Sequence, residues 1–102
     1  MKIVRAGREQ MHLALNEINI LMSIKEKDIE NRKNILRIKD FIVFRRHICI
    51  ITEILGTSLY QLLESNYFRP LDPQNVRAFA IQILFSLAFL KQVAVVHSDI
   101  KP

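Results

Sequence analysis

Hydrophobic and polar positions along the first third of the chain predict a strand, a helix and a loop. The opening KIVR contains two β-branched residues and ends at Ala6-Gly7, which is typical of a short strand. From residue 9 to about residue 25 the apolar positions recur at helical spacing. This apolar stripe consists of Leu13, Ile20, Leu21 and Ile24, with Glu17 on the same side. Residues 25–34 are polar without a period, so we expect a loop.

A β-hairpin is predicted in the middle of the chain. Residues 37–44 and 47–54 are rich in Ile, Val and Phe, and only Arg45-Arg46 separates them. Gly56 is expected to break the second strand. Ser58 follows it and is expected to cap a short helix with its side-chain oxygen.

The last third of the chain carries the clearest periodic pattern. Asp72-Pro73 predicts the start of a helix, with Asp as the capping residue and Pro at the first helical position. Apolar residues then follow helical spacing from Val76 to Leu90, and so wide a stripe predicts a deeply buried helix. The predicted order is strand, helix, hairpin, small helix and long helix, which is an α+β arrangement.

Length and composition limit the chain to one small domain or a piece of one. It has 102 residues, half of them hydrophobic, and its single cysteine, Cys49, excludes an internal disulfide. The longest apolar run, residues 78–90, falls short of the roughly 20 residues that a membrane span needs. No signal peptide pattern is present at the start. We therefore expect an intracellular protein, in the cytoplasm or the nucleus, with no membrane partner.

The positive charge is confined to the first half of the chain. The net charge is +5, and residues 1–46 contain 11 Lys/Arg against 6 Asp/Glu, whereas the remaining residues contain equal numbers. A nucleic-acid surface is one interpretation. A solvated helix and loop surface is favoured, because acidic residues interleave with the basic ones and no aromatic residue occurs before residue 41 to stack on a base. We expect no nucleic-acid partner.

The chain carries its densest chemistry in VVHSDIKP, residues 95–102. A Ser-His-Asp hydrolase is disfavoured, because adjacent residues cannot align as nucleophile, base and orienting group, and no G-x-S-x-G turn occurs. A metal site that combines His97 and Asp99 with His47 or His12 lacks a recognised ligand spacing. A solvent-exposed loop without a role is the remaining alternative.

The combination of motifs resembles the protein kinase family. H-x-D-[LI]-K-P after a long apolar helix is similar to the kinase catalytic loop. Lys2 in MKIVR stands at the place of that family's strand lysine, and Glu17 in ALNEINIL, fifteen residues on, at the place of its helix glutamate. Thr52 stands at the gatekeeper place. The stretches FRRHICIITEIL, SLYQLLESNYF and VRAFAIQIL resemble the dual-specificity tyrosine-regulated kinases of the CMGC group.

This resemblance implies a partial kinase domain. Residues 1–55 would be part of the small lobe: its third strand, regulatory helix, fourth and fifth strands, and the hinge between lobes. Residues 56–102 would be the start of the helical large lobe, ending inside the catalytic loop. We therefore expect the KIVR strand to lie at a sheet edge and the long helix to leave apolar surface uncovered.

The resemblance also implies roles for individual residues, with ATP and a protein substrate as partners. Lys2 would hold the α- and β-phosphates and Glu17 would fix that lysine by an ion pair. The alternatives are a surface lysine near a terminus and a carboxylate at the edge of an amphipathic helix. The remaining roles are backbone contacts to adenine from Glu53 and Leu55, proton acceptance by Asp99, γ-phosphate neutralisation by Lys101, a structural role for His97, and an apolar column through Leu21 and Ile38.

Two departures from the kinase pattern affect the expected activity. Ser98 stands where most kinases carry the arginine that binds an activation-loop phosphate, so we expect no such activation through this position. The sequence contains no glycine-rich loop before Lys2 and no D-F-G, and the ligands for Mg²⁺ are expected outside this chain.

We therefore expect a segment of a serine/threonine or dual-specificity protein kinase that is inactive by itself. A non-catalytic kinase-like binding or scaffold module is the alternative. The sequence does not indicate an oligomeric state.

Overall fold

Three strands and three helices form along residues 1–102, all of which the computed structural model describes. They are β1 (Lys2–Ile3), α1 (Arg8–Lys27), β2 (Ile38–Phe44), β3 (His47–Thr52), α2 (Leu59–Ser65) and α3 (Pro73–Gln92). The order predicted from the sequence is confirmed. The chain divides into two units, Met1–Glu53 with the sheet and α1, and Ile54–Pro102 with α2 and α3.

The sheet is antiparallel with the strand order β1-β3-β2. β1 is therefore an edge strand, as expected. Arg45 and Arg46 connect β2 to β3 with φ of 47° and 67°, and two left-handed residues make a turn whose twist matches that of the strands. Glycine or asparagine usually occupies such positions. The guanidinium of Arg45 lies 5.3 Å from the ring centroid of Phe44, which is a cation–π contact.

The core of the first unit lies between α1 and the sheet. Its buried members are Ala14, Ile18, Ile38, Ile48 and Ile50, with Val4 and Leu21 packed against them. The predicted apolar stripe was wrong for Leu13 and Ile20, which are 63% and 45% exposed. Because successive residues turn by about 100°, contact through positions 14, 18 and 21 rotates positions 13 and 20 away from the sheet. Glu17 lies at the edge of the buried face.

Local sequence signals explain where the helices of the second unit begin. Ser58 and Gln61 form a reciprocal capping box at the start of α2. The Asp72 side chain accepts a hydrogen bond from the Gln74 N–H at the start of α3, directly before Pro73. Both predicted caps are confirmed.

The end of α3 has a hydrogen-bond pattern that usually requires a glycine, which is absent from this part of the sequence. The N–H of Val95 donates to the Leu90 carbonyl and that of Ala94 to the Lys91 carbonyl, which is a Schellman motif. Ala94 has φ of 58° at the position that glycine usually fills. The chain therefore leaves α3 through a turn without the customary glycine.

The prediction that α3 is deeply buried was wrong for this chain. Phe89 and Leu90 are its buried residues, whereas Val76, Ile81 and Leu84 are about half exposed or more. Within residues 54–102 the only other helix, α2, does not pack closely against it. The expectation of uncovered apolar surface is confirmed. No helix combines the length and apolar character needed to cross a lipid bilayer.

Candidate functional site

Strand register brings Lys2 to α1. Lys2 lies directly opposite Ile50 in the β1–β3 pairing, and opposed residues of antiparallel strands point to the same face of a sheet. Ile50 belongs to the core beneath α1, so the Lys2 side chain emerges on the helix side of the sheet. β1 is held by further bonds beyond its two residues: the Val4 N–H donates to the Ile48 carbonyl, and His47 Nδ1 donates to the Val4 carbonyl at 2.8 Å.

Lys2 and Glu17 form a bidentate ion pair. Lys2 Nζ lies 2.6 Å from Oε2 and 2.8 Å from Oε1 of Glu17. The side chains are 60% and 38% exposed, and pairs this accessible to water contribute little to folding stability, about 1 kcal/mol or less. The geometry is therefore maintained chiefly by the core that fixes α1 on the sheet.

Glu53 ends the first unit in a network with Arg37. The Arg37 N–H donates to Glu53 Oε1 at 2.8 Å, and the Glu53 N–H donates to the Arg37 carbonyl at 3.2 Å. The Glu53 carbonyl accepts a hydrogen bond from the Thr52 hydroxyl at 3.1 Å. Leu55, the second residue of the second unit, has an exposed side chain.

The HSDIKP segment follows α3 without regular secondary structure. Lys101 Nζ donates to Asp99 Oδ2 at 2.8 Å, and both side chains are about 70% exposed. The Asp99 N–H donates to His97 Nδ1 at 3.2 Å. Ser98 has φ of 57°, a left-handed conformation immediately before Asp99. His97 was expected to be structural, through packing and a hydrogen bond; it makes this hydrogen bond, but its side chain is exposed rather than packed.

A buried aspartate, Asp28, organises the segment of residues 25–34, for which the sequence pattern predicted only a loop. α1 extends to Lys27, and Asp28, only 6% exposed, caps its end with its N–H donating to the Ile24 carbonyl. The Asp28 carboxylate accepts hydrogen bonds from the N–H groups of Arg32 and Lys33 at 2.9 and 3.0 Å. An aspartate that precedes asparagines in a polar stretch is a typical turn signal, and it could have indicated this order.

Carboxylate, imidazole and thiol groups do not gather into a metal-binding cluster anywhere in residues 1–102. Asp99 is engaged with Lys101, Glu17 with Lys2 and Asp28 with backbone N–H groups. The side chains of the site are thus arranged as two separate cation–carboxylate pairs.

The class of the protein is shown by comparison with a family model. The model of the family described as "Protein kinase domain" matches residues 1–102, and the chain belongs to this family. The expected α+β kinase-like fold, with part of the antiparallel small-lobe sheet, is confirmed.

Three similar proteins are kinases whose names describe them as dual-specificity enzymes. The chain is 37% identical over 102 residues to the human "Dual specificity tyrosine-phosphorylation-regulated kinase 4", which it covers to 20%. It is 37% identical over 103 residues to "Dual specificity protein kinase YAK1" of Saccharomyces cerevisiae, covered to 13%. It is 30% identical to "Dual specificity protein kinase lkh1" of Schizosaccharomyces pombe, covered to 15%. In each case the whole chain aligns. It spans a fifth or less of these relatives, and the expected resemblance to dual-specificity kinases is confirmed.

Proposed function

We propose that the chain supplies part of the ATP site and catalytic loop of a serine/threonine or dual-specificity protein kinase. Such a kinase transfers the γ-phosphate of ATP to protein hydroxyls. The observation that carries the proposal is the bidentate Lys2–Glu17 pair, joined across fifteen residues by the β1–β3 register and the packing of α1. Residues 1–55 are assigned to the small lobe and the hinge, and residues 56–102 to the start of the large lobe.

Lys2 is suited to hold phosphate while it remains paired. An ammonium group has three N–H donors, and the two Glu17 oxygens can take two of them. The third donor and the exposed part of the side chain are then available to the α- and β-phosphates. Glu17 orients the cation, so that little rotamer entropy is lost when nucleotide binds.

Glu53 and Leu55 are assigned to adenine through their backbones. The Glu53 N–H and carboxylate are both engaged with Arg37, and the Glu53 carbonyl accepts one hydrogen bond from the Thr52 hydroxyl. The second lone pair of this carbonyl is suited to receive a hydrogen bond from adenine. The N–H of Leu55 would donate to the ring. Because backbone groups make both contacts, the side-chain types matter little for this role.

Asp99 and Lys101 are assigned to the transfer step. Asp99 would orient the substrate hydroxyl and accept its proton, and Lys101 would neutralise charge on the γ-phosphate. The 2.8 Å contact between the two side chains supports this assignment, because it places the carboxylate and the ammonium side by side in the segment assigned to transfer. Ser98 cannot bind an activation-loop phosphate as arginine does, so we propose no activation through this position.

Mg²⁺ neutralises charge on the phosphates when it is bound with ATP in kinases. The carboxylates of residues 1–102 form no cluster that fits the ion, so we assign its ligands to residues outside this chain. We therefore propose that the 102 residues alone do not transfer phosphate. The partners are ATP and a protein substrate. A free, buried Cys49 is consistent with an intracellular location, in the cytoplasm or the nucleus.

A non-catalytic binding module is the second candidate function. The observation in its favour is the exposed apolar side of α3, which carries Val76, Ile81 and Leu84. Both candidates share the kinase fold. They differ in whether nucleotide binding depends on the Lys2–Glu17 pair.

Alanine variants of the ion pair test the proposed function. We define the chimaera as a kinase in which residues 1–102 replace the matching fifth of the human relative. Lys2→Ala and Glu17→Ala are each expected to weaken ATP binding by the chimaera about tenfold, because a charge-assisted contact to phosphate is lost or misdirected. Isothermal titration with MgATP measures the affinity.

Lys39→Ala is the matched control, because Lys39 is an exposed lysine on the same sheet. Its affinity is expected to equal that of the unmodified chimaera. Unfolding temperatures of all three variants should stay close to the parent, since the ion pair is exposed. Unchanged ATP affinity in Lys2→Ala and Glu17→Ala contradicts the assignment and favours the binding module.

A further inference from the structure

Arg37 connects two parts of the first unit that the sequence keeps apart. Its backbone N–H and carbonyl are both bonded to Glu53, at 2.8 and 3.2 Å. Its guanidinium donates to the carbonyls of Asp28 and Ile29, at 2.8 and 3.3 Å. One residue thus contacts both the segment assigned to adenine and the end of the helix that carries Glu17.

The guanidinium acts on the C-terminal end of α1. The last carbonyls of a helix have no partner within the helix and carry the negative end of its dipole. Asp28 is the capping residue of α1, and Arg37 brings a permanent cation with a planar set of donors to its carbonyl. Arg37 is half-buried, so water screens this contact less than a surface contact.

The target of Arg37 is itself ordered. The buried Asp28 carboxylate holds the N–H groups of Arg32 and Lys33, and the Asp28 carbonyl also accepts from the Asn31 N–H at 3.1 Å. Because the loop that starts at Asp28 is held by its own hydrogen bonds, the contact with the Arg37 guanidinium links the position of this loop to the position of Arg37. A shallow depression lined by Ile24, Asp28 and Arg37 marks the junction.

We infer that Arg37 is a positioning residue, which fixes α1 in translation and rotation relative to Glu53 and thereby sets Glu17 against Lys2. This inference rests on the proposed function only for its catalytic meaning. An α-helix rises 1.5 Å per residue, so Asp28 and Glu17 lie about 16 Å apart along α1. A helix that slides or turns at its C-terminal end carries Glu17 with it, and a 2.6 Å contact is sensitive to such a shift.

The test uses the 102-residue chain and NMR, without nucleotide. Arg37→Met keeps the apolar stem of the side chain and removes the guanidinium donors, whereas Arg37→Lys restores a cation. Lys39→Met, two residues further along the chain and within β2, is the control. Amide exchange at Asn31 and Glu53 is expected to rise about tenfold in Arg37→Met and less in Arg37→Lys. It should stay unchanged in Lys39→Met.

The decisive readout is the chemical shift of the Glu17 carboxylate carbon. In Arg37→Met it is expected to move towards the value in Lys2→Ala, in which the ion pair is absent, with partial return in Arg37→Lys. Faster exchange with an unmoved Glu17 shift overturns the inference and leaves Arg37 as a local helix cap. If Arg37→Met unfolds the unit, as judged by lost protection at Ile48 and Ile50, the same comparison is made on Arg37→Lys.

This test is independent of ATP. A failure of the proposed function appears as unchanged ATP affinity in the Lys2→Ala chimaera, whereas a failure of the present inference appears as an unmoved Glu17 signal in the nucleotide-free chain. The two results can therefore occur separately.

Discussion

Replacing Asp99 by asparagine is expected to lower the rate of phosphoryl transfer by the chimaera about 10²–10⁴-fold, with little change in ATP affinity. Asparagine has the shape of aspartate, so Lys101 and the backbone of the loop can keep their places. Its amide cannot accept the proton of a substrate hydroxyl, and it offers no negative charge to Lys101, which lies 2.8 Å from the carboxylate. Steady-state phosphorylation of a serine-containing peptide measures the rate.

Asp40→Asn is the matched control for this experiment. Asp40 is an exposed aspartate on β2 that accepts a hydrogen bond from the N–H of Phe41, so its replacement changes charge without touching the HSDIKP segment. The control is expected to keep the parent rate within a factor of two. An Asp99→Asn chimaera that retains a tenth or more of the parent rate contradicts the role of Asp99 as proton acceptor.

The second large effect concerns the core beneath α1. Ile18→Ala is expected to destabilise the first unit by about 2–5 kcal/mol, because Ile18 is 2% exposed and the variant leaves a cavity against the sheet. Small domains are stable by only about 5–15 kcal/mol, so this change removes a large share of the total. A substantial unfolded population should follow.

Ile20→Ala provides the comparison on the same helix. Ile20 is 45% exposed, and the gain in helix propensity from isoleucine to alanine is the same at both positions. Its effect on stability is therefore expected to stay within about 1 kcal/mol. Both tyrosines lie in the second unit and the chain has no tryptophan, so backbone NMR signals of Ile48 and Ile50 in urea are the suitable probe. Equal midpoints for the two variants contradict the packing described for α1.

Sequence patterns predicted elements better than they predicted which helix faces are buried. Caps and turns depend on a few neighbouring residues, so Ser58, Asp72 and the Arg45-Arg46 turn were located correctly. Which face of α1 is buried depends on how the helix packs against the sheet. Leu13 and Ile20 have the correct spacing for a stripe, but the small Ala14 lies at the contact with the sheet and selects a face about 100° away.

The long helix illustrates a second limit. The apolar residues of α3 are suited to pack against other parts of a protein. The second unit, however, provides no closely packed partner for Ile81 or Leu84. The hydrophobic periodicity of a helix indicates which of its faces is suited to apolar packing. Whether that face is buried depends on the other elements present. The predicted α3 was therefore correct as an element and wrong in its burial.

Site residues were predicted from resemblance, and the structure adds contacts that no sequence motif indicates. The Lys2–Glu17 pair depends on the register of β1 with β3 and on the packing of α1 against the sheet, both of which are tertiary features. Arg37 belongs to no motif, and its bonds to Asp28 and Glu53 appear only once the loop after α1 folds back. Interactions of this kind depend on backbone groups, which sequence patterns describe poorly.

The central proposal assigns one phosphate-binding role to the amine of Lys2 in the first unit and another to the amine of Lys101 in the second. An ATP analogue with an acyl group on its γ-phosphate acylates lysines that approach the phosphates, and mass spectrometry of the labelled chain identifies them. We predict preferential labelling of Lys2 and Lys101, suppressed by free ATP. The internal controls are Lys25, Lys27, Lys33, Lys39 and Lys91. Uniform labelling of all seven lysines, or labelling that free ATP does not suppress, would contradict the account.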